Sequence, residues 1–198
     1  MFERQGQAPA AAGGELERAQ LQAAEARWAA GAMSDEQVVV AITRAIENGA
    51  VEFEYQPVIG LEAPGVTLYR ECLARIRLAS GRLLPPSHFI PHLERMGAIG
   101  HFDAHVVRHA IGLLNKHPHL CLGVNLSAQS AGDGLWWVPV LHALTMRPDC
   151  ARRLVIEITE TAALPAGSGR FFKSTLNQLG CALAIDDFGT GYGAQTAA

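Results

Sequence analysis

The sequence predicts an α/β fold built on parallel strands, and three observations predict it. Four short apolar runs each carry one acidic or amide side chain: Glu71 in residues 68–73, Asn125 in 120–127, Glu157 in 154–160 and Asp186 in 181–187. Near-continuous apolar runs of this length mark strands buried on both faces of a parallel sheet. The second observation is spacing, since these polar positions lie 54, 32 and 29 residues apart. The two shorter steps each match one strand–helix unit, and the longest has room for an extra helix. The third is alternation. If Asp186 and Asn125 point inward, so do Ala182, Ala184, Cys121 and Gly123, while Leu122, Val124, Leu183 and Ile185 point out. Small residues thus flank the polar groups, and large aliphatics take the face that helices cover.

The elements follow in order. Residues 1–14 are rich in Ala, Gly and Gln and read as disordered. Residues 15–30 are rich in helix formers, and Gly31 can end that helix. Its few large apolar residues predict a loosely attached helix, so residues 1–33 read as a disordered and helical connector. Ser34 and Gln37 fit a capping box; Val38, Val39, Ile42 and Ile46 form the stripe of the helix behind it, and Asn48-Gly49 ends it. Strands at 51–58 and 67–76, separated by a short turn, predict an antiparallel hairpin. Ser87 is placed to cap a helix reaching Met96, and Val106, Val107, Ile111 and Leu114 mark a longer one over 102–116. Trp136 and Trp137 read as packing residues in the helix after the Asn125 strand; the last helix covers 171–179 and closes at Gly180.

Composition excludes several functions. The chain has 198 residues, 49% apolar and 18% charged, enough for one domain with an appendage and a sizeable core. A net charge of −3 without a Lys/Arg cluster argues against nucleic acid as a partner. No apolar run reaches the ~20 residues of a membrane span. The N-terminus lacks the apolar core of a signal peptide. Cys72, Cys121, Cys150 and Cys181 form no C-x-x-C and read as free thiols of a reducing compartment, so a cytoplasmic location is expected. His88/His92 and His101/His105 have a spacing that can chelate a metal, but without further ligands they read as solvated helix faces.

Carboxylates are rarely buried unless paired or bound to a metal, so the inward-pointing acids point to a divalent cation. Ion pairing among strand residues is the alternative for Glu71, Glu157 and Asp186. At Asp186-Asp187 the alternative is a turn that opens at Asp187, with Asp186 capping a backbone N–H.

Six motifs in order carry a resemblance: Tyr55-Gln56-Pro57-Val58, Glu71-Cys72-Leu73-Ala74-Arg75, Phe89-Ile90-Pro91, Val124-Asn125-Leu126-Ser127, Glu157-Ile158-Thr159-Glu160, and the run from Asp186 to Tyr192 that includes Gly189-Thr190-Gly191. Together they resemble the EAL domain, the family of bacterial cyclic di-GMP phosphodiesterases, over about Asp35 to Tyr192. The resemblance implies a TIM-like (β/α) barrel with an antiparallel first strand, and cyclic di-GMP hydrolysed to linear pGpG. It implies that Glu71, Asn125, Glu157 and Asp186 hold one Mg²⁺ or Mn²⁺, and that Asp187 reaches a second ion and is the catalytic candidate. Arg75 would contact a substrate phosphate, with Gln56 near the ligand. Glu160 would brace the Gly189-Thr190-Gly191 loop that couples dimerisation to activity. Hard oxygen donors suit these ions, and a two-ion site suits in-line phosphodiester hydrolysis.

The family pattern continues beyond Tyr192 with a Lys-Ile-Asp strand, an Ala-Glu-Gly-Val-Glu strand and a Gln-Gly strand, which these 198 residues do not contain. A TIM barrel usually takes about 250 residues. Residues 34–198 are therefore expected to form an incomplete barrel lacking its last three strands and the general base. Such a barrel needs a homodimer or a partner over its open side, and its activity is expected to be low or absent. The alternative is a non-catalytic module that binds cyclic di-GMP or a protein.

Overall fold

The computed structural model describes residues 25–28, 31–62, 64–132, 134–159 and 168–186. Chain order runs α1 (Asp35–Glu47), β1 (Val51–Ile59), β2 (Thr67–Arg77), β3 (Leu83–Leu84), a 3-10 turn (Pro86–His88), α2 (Ile90–Arg95), α3 (Ile99–Lys116) and β4 (Leu122–Asn125). It continues through α4 (Ala128–Gly132), α5 (Gly134–Thr145), α6 (Pro148–Ala151), β5 (Leu154–Thr159), α7 (Ser168–Leu179) and β6 (Ala182–Asp186). The sheet order is β1-β2-β4-β5-β6, with β3 paired to β2. β1 and β2 form the expected antiparallel pair, whereas β2, β4, β5 and β6 run parallel.

Period-two alternation sorts the strands into two faces. Cys72, Ala74, Ile76, Leu122, Val124, Leu154, Ile156 and Ile158 are buried, together with α1 and α3 residues such as Ile42, Val107 and Leu114. Glu71, Leu73, Arg75, Gly123, Asn125 and Glu157 alternate with them and take the opposite, inner face. The aliphatic rule fails at one position. Ile185 stays 62% exposed, with no described helix over it.

The capping box at α1 forms as read: Ser34 Oγ accepts from Gln37 N at 3.3 Å, and Ser34 N donates to Gln37 Oε1 at 3.1 Å. Asn48 caps the end, and Gly49 follows with φ +66°. Ser87 does not cap a helix as expected; it lies inside the 3-10 turn, and α2 begins only at Ile90, with a proline in its first turn. Residues 25–28 are helical, but not loosely attached. The Trp28 ring is buried and its Nε1 donates to His88 O at 3.4 Å, while Ser80 N donates to Glu25 Oε1 at 2.7 Å.

The histidines are not simply solvated. His92 Nδ1 lies 2.6 Å from Asp35 Oδ1, and Arg95 donates twice to the same carboxylate, which these partners hold well below the usual range. His101 stacks on Trp136 and His109 on Phe53, the latter with ring centroids 3.7 Å apart. Burial lowers the His105 and His109 pKa values. Trp137 is buried against Phe172, in keeping with a packing role. All four cysteines are free, Cys121 being only half-buried.

Candidate metal and ligand site

Ladder register assembles the site on the inner face. Gln56 lies opposite Glu71 on the β1–β2 pair, and Glu71 lies opposite Gly123 on β4. Two residues further along, Asn125 faces Glu157, which faces Ala184 on β6. One more step brings Thr159 opposite Asp186. The polar positions thus climb across the parallel strands in two-residue steps of about 6–7 Å.

Side chains of two strands bond there, and a buried carboxylate of a third lies next to them in register. Asn125 Nδ2 donates to Glu71 Oε1, joining β4 to β2. Glu157, on the neighbouring strand, is 3% exposed. Gly123 makes this possible, because a Cβ there would collide with Glu157 Oε1 and with the Tyr69 ring. A strand glycine often marks such a close approach.

On β2, Arg75 and Arg77 extend the inner face toward the strand end. Arg75 Nη2 pairs with Glu54 Oε2 of β1 at 2.8 Å, and its Nη1 donates to Ala74 O at 3.0 Å. Arg77 pairs with Glu52. Arg75 and Arg77 thus pair with carboxylates of β1, while Glu71 accepts from Asn125.

The segment after Asn125 is fastened by two carboxylates that sequence reasoning missed. Leu126 N donates to Glu157 O at 2.9 Å. Ser127 N and Ser130 Oγ donate to Asp103 Oδ2 at 3.0 and 2.6 Å, and Ser127 Oγ donates to Glu94 Oε1 at 2.7 Å. Asp103 is 3% exposed; burial pushes its pKa up to about 7, hydrogen bonds from Ser130 and Ser127 oppose this, and Glu94 adds to it. A cleft of about 540 Å³ adjoins this junction, lined by Leu73, Ile90, Glu94, Asp103, Asn125 and Ser127 among others.

These donors fit a hard divalent cation. Glu71, Glu157 and Asn125 offer two carboxylates and an amide, and the Cys72 thiol next to Glu71 lies on the helix face, with burial and Glu71 pushing its pKa up to about 12. Among the described residues, no three His, Cys, Asp or Glu side chains form a metal-holding group by themselves. Asp187 and Glu160 lie outside the described residues, as does the Asp186 side chain. Gln56 is on the inner face but exposed. No helix among the described residues is long and apolar enough to cross a membrane.

Comparison with known proteins bears on the family and the fold. The chain is 34% identical over 160 residues to the cyclic di-GMP phosphodiesterase PdeB of Shewanella oneidensis, covering 77% of this chain and 18% of that protein. It is 30% identical over 156 residues to PdeF of Escherichia coli, covering 76% and 20%. The chain thus spans about a fifth of the length of these relatives. Among solved structures, the Vibrio cholerae LapD S helix-GGDEF-EAL protein bound to c-di-GMP superposes with a TM-score of 0.74 at 22% identity, covering 83% of this chain and 40% of that one. The Pseudomonas aeruginosa FimX EAL domain bound to c-di-GMP gives 0.65 at 28% identity, covering 78% and 64%. The fold is therefore that of a TIM-like barrel with an antiparallel first strand, represented here by a partial parallel sheet and its helices. The EAL domain model matches residues 39–197, and the chain belongs to the EAL domain family.

Proposed function

We propose that this chain carries the metal-dependent cyclic di-GMP site of an EAL phosphodiesterase. The observation that supports this most is the Asn125–Glu71 hydrogen bond beside buried Glu157, three donor side chains from three adjacent strands on one face. In this reading Glu71, Asn125, Glu157 and Asp186 hold Mg²⁺ or Mn²⁺, with Asp187 reaching toward a second ion. Bound there, such ions supply Lewis acidity for in-line phosphodiester hydrolysis. Arg75 binds a phosphate of the ligand, Gln56 stands near it, and Glu160 braces the Gly189-Thr190-Gly191 loop that couples association with a second copy of the chain or another partner to activity. The β6 side, where Ile185 is exposed, is the surface for that copy or partner.

Assayed alone, the 198-residue polypeptide is expected to bind cyclic di-GMP and turn it over slowly or not at all. The inner-face donors Glu71, Asn125 and Glu157 support cation-dependent ligand binding directly. The test is equilibrium binding of cyclic di-GMP with and without Mn²⁺, alongside product analysis for pGpG. Mn²⁺-dependent binding that Glu71→Ala abolishes supports the reading. Binding and turnover both unaffected by Glu71→Ala would place the function elsewhere.

A further inference from the structure

Arg75, the side chain assigned to a ligand phosphate, already has an anionic partner. Its Nη2 is 2.8 Å from Glu54 Oε2, with Arg75 19% and Glu54 56% exposed at the side chain. Glu54 reaches it diagonally across the β1–β2 ladder, in which Glu54 faces Leu73 and Glu52 faces Arg75. The neighbouring Arg77 has its own carboxylate in Glu52, so Glu54 is not shared between two cations. One Nη1 N–H is donated to Ala74 O, and the Nε/Nη2 edge of the guanidinium is left for an incoming oxyanion.

A phosphate is recognised best by two parallel N–H donors of one guanidinium. Glu54 Oε2 stands against that edge of the guanidinium as an ion pair, 2.8 Å from Nη2. It also puts a negative charge on the inner face two residues from Gln56, which lies opposite Glu71. An ion pair this exposed contributes little to folding, so its loss disturbs the hairpin only slightly. We propose that Glu54 is a built-in competitor for the ligand: it holds Arg75 in the place of the phosphate, and a phosphodiester anion binds by displacing it. This rests on the reading of Arg75 as the phosphate contact. The carboxylate sets ligand affinity without touching the metal donors.

The experiment is a double-mutant cycle on the full chain, with cyclic di-GMP binding measured by calorimetry at fixed Mn²⁺ and low salt. The variants are Glu54→Gln, Arg75→Ala and the pair, with circular dichroism as the folding control and Arg75→Gln as a second variant should the alanine not fold. Glu54→Gln is expected to tighten binding about two- to fivefold, the scale of an exposed ion pair. Arg75→Ala is expected to weaken binding, and Glu54→Gln to have no further effect in that background. If Arg75→Ala weakens binding but Glu54→Gln leaves it unchanged or weaker, competition is wrong and the phosphate contact stands. Equal tightening in both backgrounds also overturns competition, because it reports only removal of a repelling charge. No loss on Arg75→Ala removes the phosphate contact itself. An absence of binding in both wild type and Glu54→Gln counts against both readings.

Discussion

Asp103 shows what one buried carboxyl does to this site. It fastens Ser127 and Ser130 just beyond Asn125, and burial pushes its pKa up to about 7 from 3.8. A carboxyl with a raised folded-state pKa binds more protons folded than unfolded between those values, so stability is largest below about 4 and is lost as pH rises toward 7. Asp103→Asn has no such titration. The stability of wild type relative to Asp103→Asn, from urea unfolding at several pH values, is therefore expected to fall across this window; parallel profiles would contradict the assignment. Asp103 left a faint trace in the sequence, an acid beside Phe102 within reach of the Val106/Val107 stripe, but its partners sit 24 and 27 residues away. Gly123 gives a second case. Gly123→Ala forces a methyl against Glu157 and Tyr69, and overpacking of this kind costs about 1–3 kcal/mol. Chemical denaturation should register that loss together with weaker Mn²⁺ binding; an alanine variant as stable and as metal-competent as wild type would show that the approach is loose.

Elements were legible where the signal was local. The box at Ser34 needs only residues three apart, and α1 forms behind it. Ser34→Ala is expected to cost about 1 kcal/mol, a drop in Tm of about 2–4 °C for a chain of this size. Ser87→Ala is expected to leave Tm nearly unchanged, because Ser87 caps nothing. Thermal unfolding of the pair tests both, and equal losses would contradict the contrast. The Ser87 expectation failed because prolines at 85, 86 and 91 divide the segment into a 3-10 turn and a short helix. Strand β3 was not legible at all: two residues have no periodicity, and their pairing with Ile76 and Arg77 is a tertiary fact.

For the whole molecule, alternation predicted which side of the sheet each residue takes. Leu122, Val124 and Ile156 are buried under helices, while Glu71 and Asn125 meet on the other face. Period two is a property of the strand itself, so it is written in each segment separately. What a single strand does not encode is which polar group answers which. Glu71 chose Asn125, Arg75 chose Glu54, and both choices depend on the register between strands. Ile185 departs from the pattern because burial requires a neighbour as well as a parity.

The central claim is that polar groups from separate strands form one cation-holding pocket, and Mn²⁺ binding followed by electron paramagnetic resonance tests it most directly. Wild type is expected to bind Mn²⁺, with affinity raised by cyclic di-GMP, and Glu71→Gln and Glu157→Gln are each expected to lose that binding at least tenfold while circular dichroism shows the fold retained. Mn²⁺ affinity that is unchanged in both folded variants would contradict the account.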